Sequence, residues 1–171
     1  MFQIIRANLT HKKLLATLSK ASFLVPHGHS APEKDINHYV ANNFNEVAFS
    51  KELTNPKNEY HIIYYKEAIA GFSKIVFNSE NKNINPTNIT LLSRLYLLEE
   101  FYGLGVGKAL FKFNVSLAKK HNQAGIWLAV WTENTRAIAF YKKNGFKKVG
   151  DYDFKISETH SNPNHILFLA L

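Results

Sequence analysis

An apolar extended run that breaks into three alternating glycines and winds directly into an amphipathic helix leaves a chain few folds to choose from. Residues 95–108, Leu95-Tyr96-Leu97-Leu98-Glu99-Glu100-Phe101-Tyr102-Gly103-Leu104-Gly105-Val106-Gly107-Lys108, have this form. Beyond them Val106, Leu110, Phe113 and Leu117 fall on one helical face, with Lys108, Lys112 and Lys119 off it. A strand from about Ile89 to Leu98 therefore meets a helix whose first N–H groups lack intrahelical partners and sit at the positive end of its dipole, a geometry suited to phosphate. No Lys-Ser/Thr pair follows the glycines, which excludes a P-loop, and the spacing is not the dinucleotide Gly-x-Gly-x-x-Gly. Taken alone, the turn fits close packing of helix on strand equally well.

A second block lies downstream. Ile126-Trp127-Leu128-Ala129-Val130-Trp131 is apolar on both alternating faces, as expected of a strand covered on both sides in an α/β sheet. Asn134 opens a helix that ends at Gly145, and its spacing puts Asn134, Ala137 or Ile138, and Tyr141 on successive turns of one face. An amide and a phenol then line one groove, although Tyr141 alone reads equally as a packing residue.

The rest of the pattern supplies further elements. A strand is predicted at 2–7, then a helix through Leu14 to Leu24 after a Thr10 cap, and a loop over Pro26-His27-Gly28-His29-Ser30-Ala31-Pro32. Ser30 or Pro32 starts a helix reaching Phe44, and Asn45 caps another ending near Leu53. Strands from Tyr60 and from Ile69 form a hairpin around Lys66-Glu67, and 78–88 is a polar loop. Strands at 146–156 and 165–171 close the chain, with Ser161-Asn162-Pro163-Asn164 as the turn between them.

A length of 171 residues suits one core, so 1–171 is expected to be a single domain. No run approaches the roughly 20 apolar residues of a membrane span. The absence of cysteine excludes disulfides, thiolate zinc sites, iron–sulfur clusters and a cysteine nucleophile. Met1 to Asn8 runs into polar Thr10-His11-Lys12-Lys13 without a leader pattern, so a cytoplasmic protein is expected. His27 and His29 lack further ligands nearby and read as an exposed loop, so no metal is expected.

The net charge is +8, from 21 Lys and Arg against 13 Asp and Glu. Residues 108–148 hold nine basic side chains against Glu133 alone, so the whole excess lies there and the remainder is neutral. An anionic partner is expected on the part of the fold built by 108–148, unless these lysines serve solubility alone.

Together the two blocks resemble the GNAT superfamily of N-acetyltransferases. The matching residues are Leu95-Tyr96-Leu97, the turn Gly103-Leu104-Gly105-Val106-Gly107, and Asn134-x-x-Ala137-Ile138-x-Phe140-Tyr141-x-x-x-Gly145-Phe146. The resemblance implies an α+β fold: a mixed, mostly antiparallel seven-stranded sheet flanked by helices, whose fourth and fifth strands splay to admit acetyl-CoA. By that likeness, backbone amides of Tyr102, Gly103, Leu104, Gly105, Val106, Gly107 and Lys108 hold the pyrophosphate. The pantetheine arm pairs with the edge at Leu97, Leu98 and Glu99. Asn134 hydrogen-bonds that arm, Ala137 and Phe140 lie beside it, and Lys143 reaches the ribose 3′-phosphate. The N–H near Leu97 serves the oxyanion, and Tyr141 is the general acid.

Two positions depart from the family pattern. Tyr102 stands where Gln or Arg is usual, and Ser93 where many relatives carry Glu, which leaves the base open among Glu99, a tyrosine and a water chain. Residues 126–143 and 44–53 look most like the bacterial spermidine/spermine acetyltransferase branch. A polyamine would draw on Glu33, Asp35, Glu99, Glu100, Asp151 or Asp153. The implied partners are coenzyme A and a small-molecule amine, with no membrane, nucleic acid set aside for want of a helix-turn-helix signal, and a homodimer left open. A protein N-terminal or lysine acetyltransferase and a non-catalytic acyl-CoA- or nucleic-acid-binding regulator are the alternatives.

Overall fold

The computed structural model describes residues 1–171. In chain order they form β1 (Phe2–Arg6), α1 (Lys12–His27), α2 (Glu33–Asn43), α3 (Glu46–Thr54), β2 (Asn58–Tyr65), β3 (Ala68–Val76), β4 (Ile89–Leu97), α4 (Val106–Lys120), β5 (Gly125–Trp131), α5 (Thr135–Lys143), β6 (Lys147–Lys155) and β7 (Ser161–Ala170). The strands make one sheet in the order β1-β2-β3-β4-β5-β7-β6. Every neighbouring pair is antiparallel except β4 with β5. That parallel pair is joined only at Ile89–Leu91 with Gly125–Trp127, after which the two strands diverge. The expected mixed sheet with a central splay is therefore present.

Side-chain alternation along β2 explains the layers. Tyr60 and Ile62 enter a core shared with α1, α2 and α3, whereas Ile63 packs with Val106 and Leu110 of α4. A further core joins Phe111 and Ala118 of α4 and Tyr141 of α5 to Ile126, Leu128 and Leu167. Lys66 and Glu67, both at positive φ, close the β2–β3 hairpin with the twist such turns require. Asn45 caps α3 as predicted, accepting from the Ala48 N–H at 2.8 Å.

Three local expectations are corrected. Thr10 does not cap α1, whose N-cap is His11 without a side-chain hydrogen bond; Asn8 instead caps a short 3-10 turn, Leu9–His11, where its carboxamide accepts from the Thr10 N–H and the His11 ring closes a reciprocal capping box. Helix α1 does not stop at Pro26 but continues to His27, because a proline in a last turn removes one hydrogen bond and already has helical φ. Stacking of His27 on buried Phe23, with ring centroids 4.7 Å apart, holds that turn. Residues 161–164 are not a turn but the start of β7; the reversal is at Ile156–His160, where the Ile156 N–H donates to His160 O at 2.9 Å. Pro163 is tolerated there because β5 ends opposite Asn164, so the missing N–H breaks no ladder on that side.

His61, 5% exposed, lies between β2 and α4 with its ring 4.8 Å from Phe113, and its Nδ1 has no partner. Burial, aided by Arg6, lowers its pKa to about 4. The unfolded ring binds a proton near 6.5, so between these values the unfolded state holds more protons and stability falls as pH drops from 6.5 toward 4. The loss expected from this ring is roughly 2 kcal/mol, below the full value for the shift because an opened ring regains water. Urea midpoints at pH 7 and pH 5 check this: His61→Leu flattens the difference, and equal slopes in both proteins would refute it.

Candidate functional site

The divergence of β4 and β5 opens a cavity of about 1210 Å³ between the two helix layers. Ala129, the one exposed residue of β5, faces it, so the strand predicted to be covered on both sides is bare where the sheet splits. On β4, Arg94 pairs with Lys74 and Leu92 with Ile75, which leaves Ser93 as the extra residue of a bulge, exposed at the cavity wall.

One end of the cavity is built by the glycine turn. Gly103 and Gly105 have φ of +76° and +78°, and Gly105 is the N-cap of α4. No side chain caps this end and no acid sits in its first turn, so the N–H groups of Val106, Gly107 and Lys108 are unclaimed. A Cβ on Gly103 would touch nothing within 4 Å, whereas one on Gly107 would come 3.2 Å from Leu97 Cδ1. The two readings of the turn thus apply to different glycines: backbone freedom at 103 and 105, close packing at 107.

Tyr102 also lines this end, with the Arg136 guanidinium 3.3 Å from its ring centroid. Of the nine basic residues of 108–148, Lys108, Arg136 and Lys143 reach the cavity, and the other six do not. The carboxamide oxygen of Asn134 caps α5 by accepting from the Ala137 N–H at 3.2 Å, which leaves Nδ2 free beside Ala137 and Phe140 on the cavity wall.

Three residues of the expected set do not line the cavity: Leu98, Glu99 and Leu104. The Leu98 N–H is spent on Ala70 O at 2.9 Å, Glu99 lies in a short turn with an exposed side chain, and Leu104 is 46% exposed. Leu97 is different. Strand N–H groups alternate between sides, and since the Leu98 N–H is directed at β3, that of Leu97 points into the gap beside β5.

Tyr141 is buried at the junction of α5 with the cavity, and its hydroxyl makes no hydrogen bond within the protein. Burial, with the Tyr96 phenol close by, pushes its pKa up. The group stays protonated throughout the neutral range, so it can give up a proton but cannot serve as the base.

The opposite end is assembled from distant segments. Phe23 and His27 of α1, Trp131 of β5, Tyr152 and Phe154 of β6 and Arg94 of β4 converge there. The His27 ring lies 4.7 Å from Phe23 and 5.5 Å from Trp131, and burial lowers its pKa to about 4, so it is neutral. The expectation of an exposed loop fails for His27 and holds for His29, which is exposed and off the cavity. Of the acids considered for a polyamine, Asp151 alone lines the wall. It is already held by Lys148 at 2.8 Å and His165 at 2.9 Å. Arg94 and Trp131 were not singled out as site residues, although an arginine inside the apolar run Leu91–Leu97 was a visible signal.

Residues 16–146 match the model of the Acetyltransferase (GNAT) family. An uncharacterized N-acetyltransferase of Mycobacterium tuberculosis is 30% identical over 132 residues, covering 77% of this chain and 80% of the relative. The spermine/spermidine N(1)-acetyltransferase of Bacillus subtilis is 26% identical over 123 residues, covering 68% and 81%. The solved PaiA N-acetyltransferase of Thermoplasma acidophilum, in complex with coenzyme A, superposes with a TM-score of 0.78 at 19% identity, covering 100% of this chain and 99% of that one. The β4 edge and the unclaimed α4 amides suit an extended arm and its phosphates. The family match, over most of the length and including the glycine turn, β4, β5 and α5, makes this chain a member of the GNAT acetyltransferases, with acetyl-CoA as its co-substrate.

Proposed function

We propose that the chain, acting as one domain, transfers acetyl from acetyl-CoA directly to the primary amine of a small molecule. The observation that carries this reading is a proton-bearing Tyr141 at the wall of a cavity with two distinct ends. No cysteine exists to hold the acyl group, and in this reading amine and thioester meet in one complex.

Each assignment has its physical reason. Backbone N–H groups from Gly103 to Lys108, other than that of Leu104, bind the pyrophosphate at the α4 N-terminus, with Arg136 and Lys143 supplying positive charge; the Tyr102 N–H, expected among them, is spent on Glu99 O at 3.0 Å. The Asn134 Nδ2 donates to an amide carbonyl of the extended arm. The Leu97 N–H, directed into the gap, donates to the developing oxyanion. Tyr141 gives its proton to the departing thiolate.

The aromatic wall of Phe23, Trp131, Tyr152 and Phe154 suits a methylene chain and an ammonium group. Spermidine and spermine enter the reading through the substrate named for the Bacillus relative. Initial rates of thiol release over a grid of acetyl-CoA and amine concentrations test it. Intersecting reciprocal plots are expected for direct transfer; parallel plots, or coenzyme binding without transfer to any of the amines tried, would refute it.

A further inference from the structure

We propose that Arg94 forms an anion subsite at the acceptor end of the cavity, so that the preferred acceptor is an amine that also carries a carboxylate. The inference rests on the acetyltransferase reading above and adds the substrate class.

A charge taken out of water needs a partner, and Arg94 lacks one within the chain. Its guanidinium lies among the rings of Phe44 and Phe49, with centroids 5.6 and 5.4 Å away. The group makes a single hydrogen bond, from Nη1 to the Tyr60 hydroxyl at 2.9 Å, and no ion pair. The nearest carboxylate, Glu52, is committed elsewhere. It pairs with Lys74 at 2.5 Å and accepts from the Tyr60 hydroxyl at 2.6 Å and from Asn58 Nδ2 at 3.2 Å. The cluster therefore holds two cations against one carboxylate. A monoanion balances it, whereas a phosphate dianion would overshoot.

The unused donors are reachable. The polar side-chain atoms sealed from solvent without a partner are Ser19 Oγ, Ser22 Oγ, His61 Nδ1 and Asn114 Nδ2, and no nitrogen of Arg94 is among them. Arg94 lines the cavity, and in this proposal its free N–H groups face that space. Their planar fork matches a carboxylate in two parallel hydrogen bonds.

The subsite also lies at a workable distance from the chemistry. Tyr96, two residues along β4 and so about 7 Å away, shares the face of Arg94. The Arg94 charge acts on the Tyr96 phenol, and that phenol acts on Tyr141. Arg94, Tyr96 and Tyr141 all line the same cavity, so the proposed carboxylate site and the proposed acid face one space.

The test compares amines that differ in one carboxylate, using the full chain with saturating acetyl-CoA: lysine with cadaverine, arginine with agmatine, tyrosine with tyramine. Spermidine, spermine and phosphoethanolamine complete the panel. The carboxylated member is expected to have the higher kcat/KM in at least one pair by about 10-fold or more, as hydrogen bonds to a charged group supply. Arg94→Gln should collapse that ratio through KM for the acceptor, and Arg94→Lys, which keeps the charge but loses the fork, should retain only part of it. A merely structural arginine would lower both members alike. Equal rates within every pair, or polyamines or phosphoethanolamine as the best acceptors, would overturn the subsite while leaving acetyl transfer intact. Failure of every amine would overturn both.

Discussion

Replacing Tyr141 by phenylalanine is expected to lower kcat by about 100-fold to 1000-fold, within the range for loss of a general acid, while the affinity for coenzyme A changes little. Several features make this substitution a clean one. The ring packs against Phe140 and Phe146, with centroids 5.4 and 5.3 Å away, and phenylalanine keeps both contacts. The hydroxyl makes no hydrogen bond within the protein, so no buried partner is stranded by its removal. A fall in kcat therefore reports the lost proton donor rather than a damaged core. Because burial holds the phenol above its ordinary pKa, the wild-type rate should show no decline from Tyr141 ionisation up to about pH 10. Steady-state rates with calorimetric coenzyme binding check both parts. Unchanged turnover in Tyr141→Phe would remove the assignment.

The two ends of the cavity differ in how far sequence alone reveals them. The coenzyme end is encoded locally: Gly103 to Lys108 are contiguous, and Asn134, Ala137 and Tyr141 follow helical spacing, so their convergence is readable from the chain. Among the exceptions Leu98, Glu99 and Leu104, that of Leu98 turns on which way a single N–H points at the end of β4, and a tertiary contact to Ala70 decides it. The acceptor end is different in kind. Phe23, Arg94, Trp131 and Phe154 come from four elements, and only the sheet order brings them together.

His27 shows the same difference. Its sequence neighbours Pro26 and Gly28 signal a loop, but stacking on Phe23 and Trp131 outweighs the local preference and carries the helix on to the cavity. Ser161-Asn162-Pro163-Asn164 has turn composition, yet pairing with β6 along its full length makes it strand. The charge excess sharpens similarly: of the nine basic residues in the segment expected to meet an anionic partner, three reach the cavity.

Removing the Glu52 carboxylate is expected to cost about 2 kcal/mol, less than for a fully buried ion pair because the Glu52 side chain is 30% exposed. Lys74, with a side chain 12% exposed, would lose its counter-charge, and the Tyr60 hydroxyl its acceptor. Arg94 would then share the site with a second unbalanced cation. Burial pushes the Glu52 carboxyl up, but the hydrogen bonds from Lys74 and Tyr60 and the charges of Lys74 and Arg94 outweigh it and hold the group below its ordinary value. Its contribution is therefore present above the unfolded carboxylate pKa and is lost as pH falls through the lower folded one. For a chain of this size the loss in Glu52→Gln lowers Tm by roughly 4–8 °C. Lys74→Met in the same chain should recover part of it, because the stranded ammonium goes with it. Recovery identifies buried charge as the cause. If Glu52→Gln leaves Tm unchanged, or if the second substitution only adds to the damage, the pair does not govern stability, and the charge balance assigned to the cluster around Arg94 falls with it.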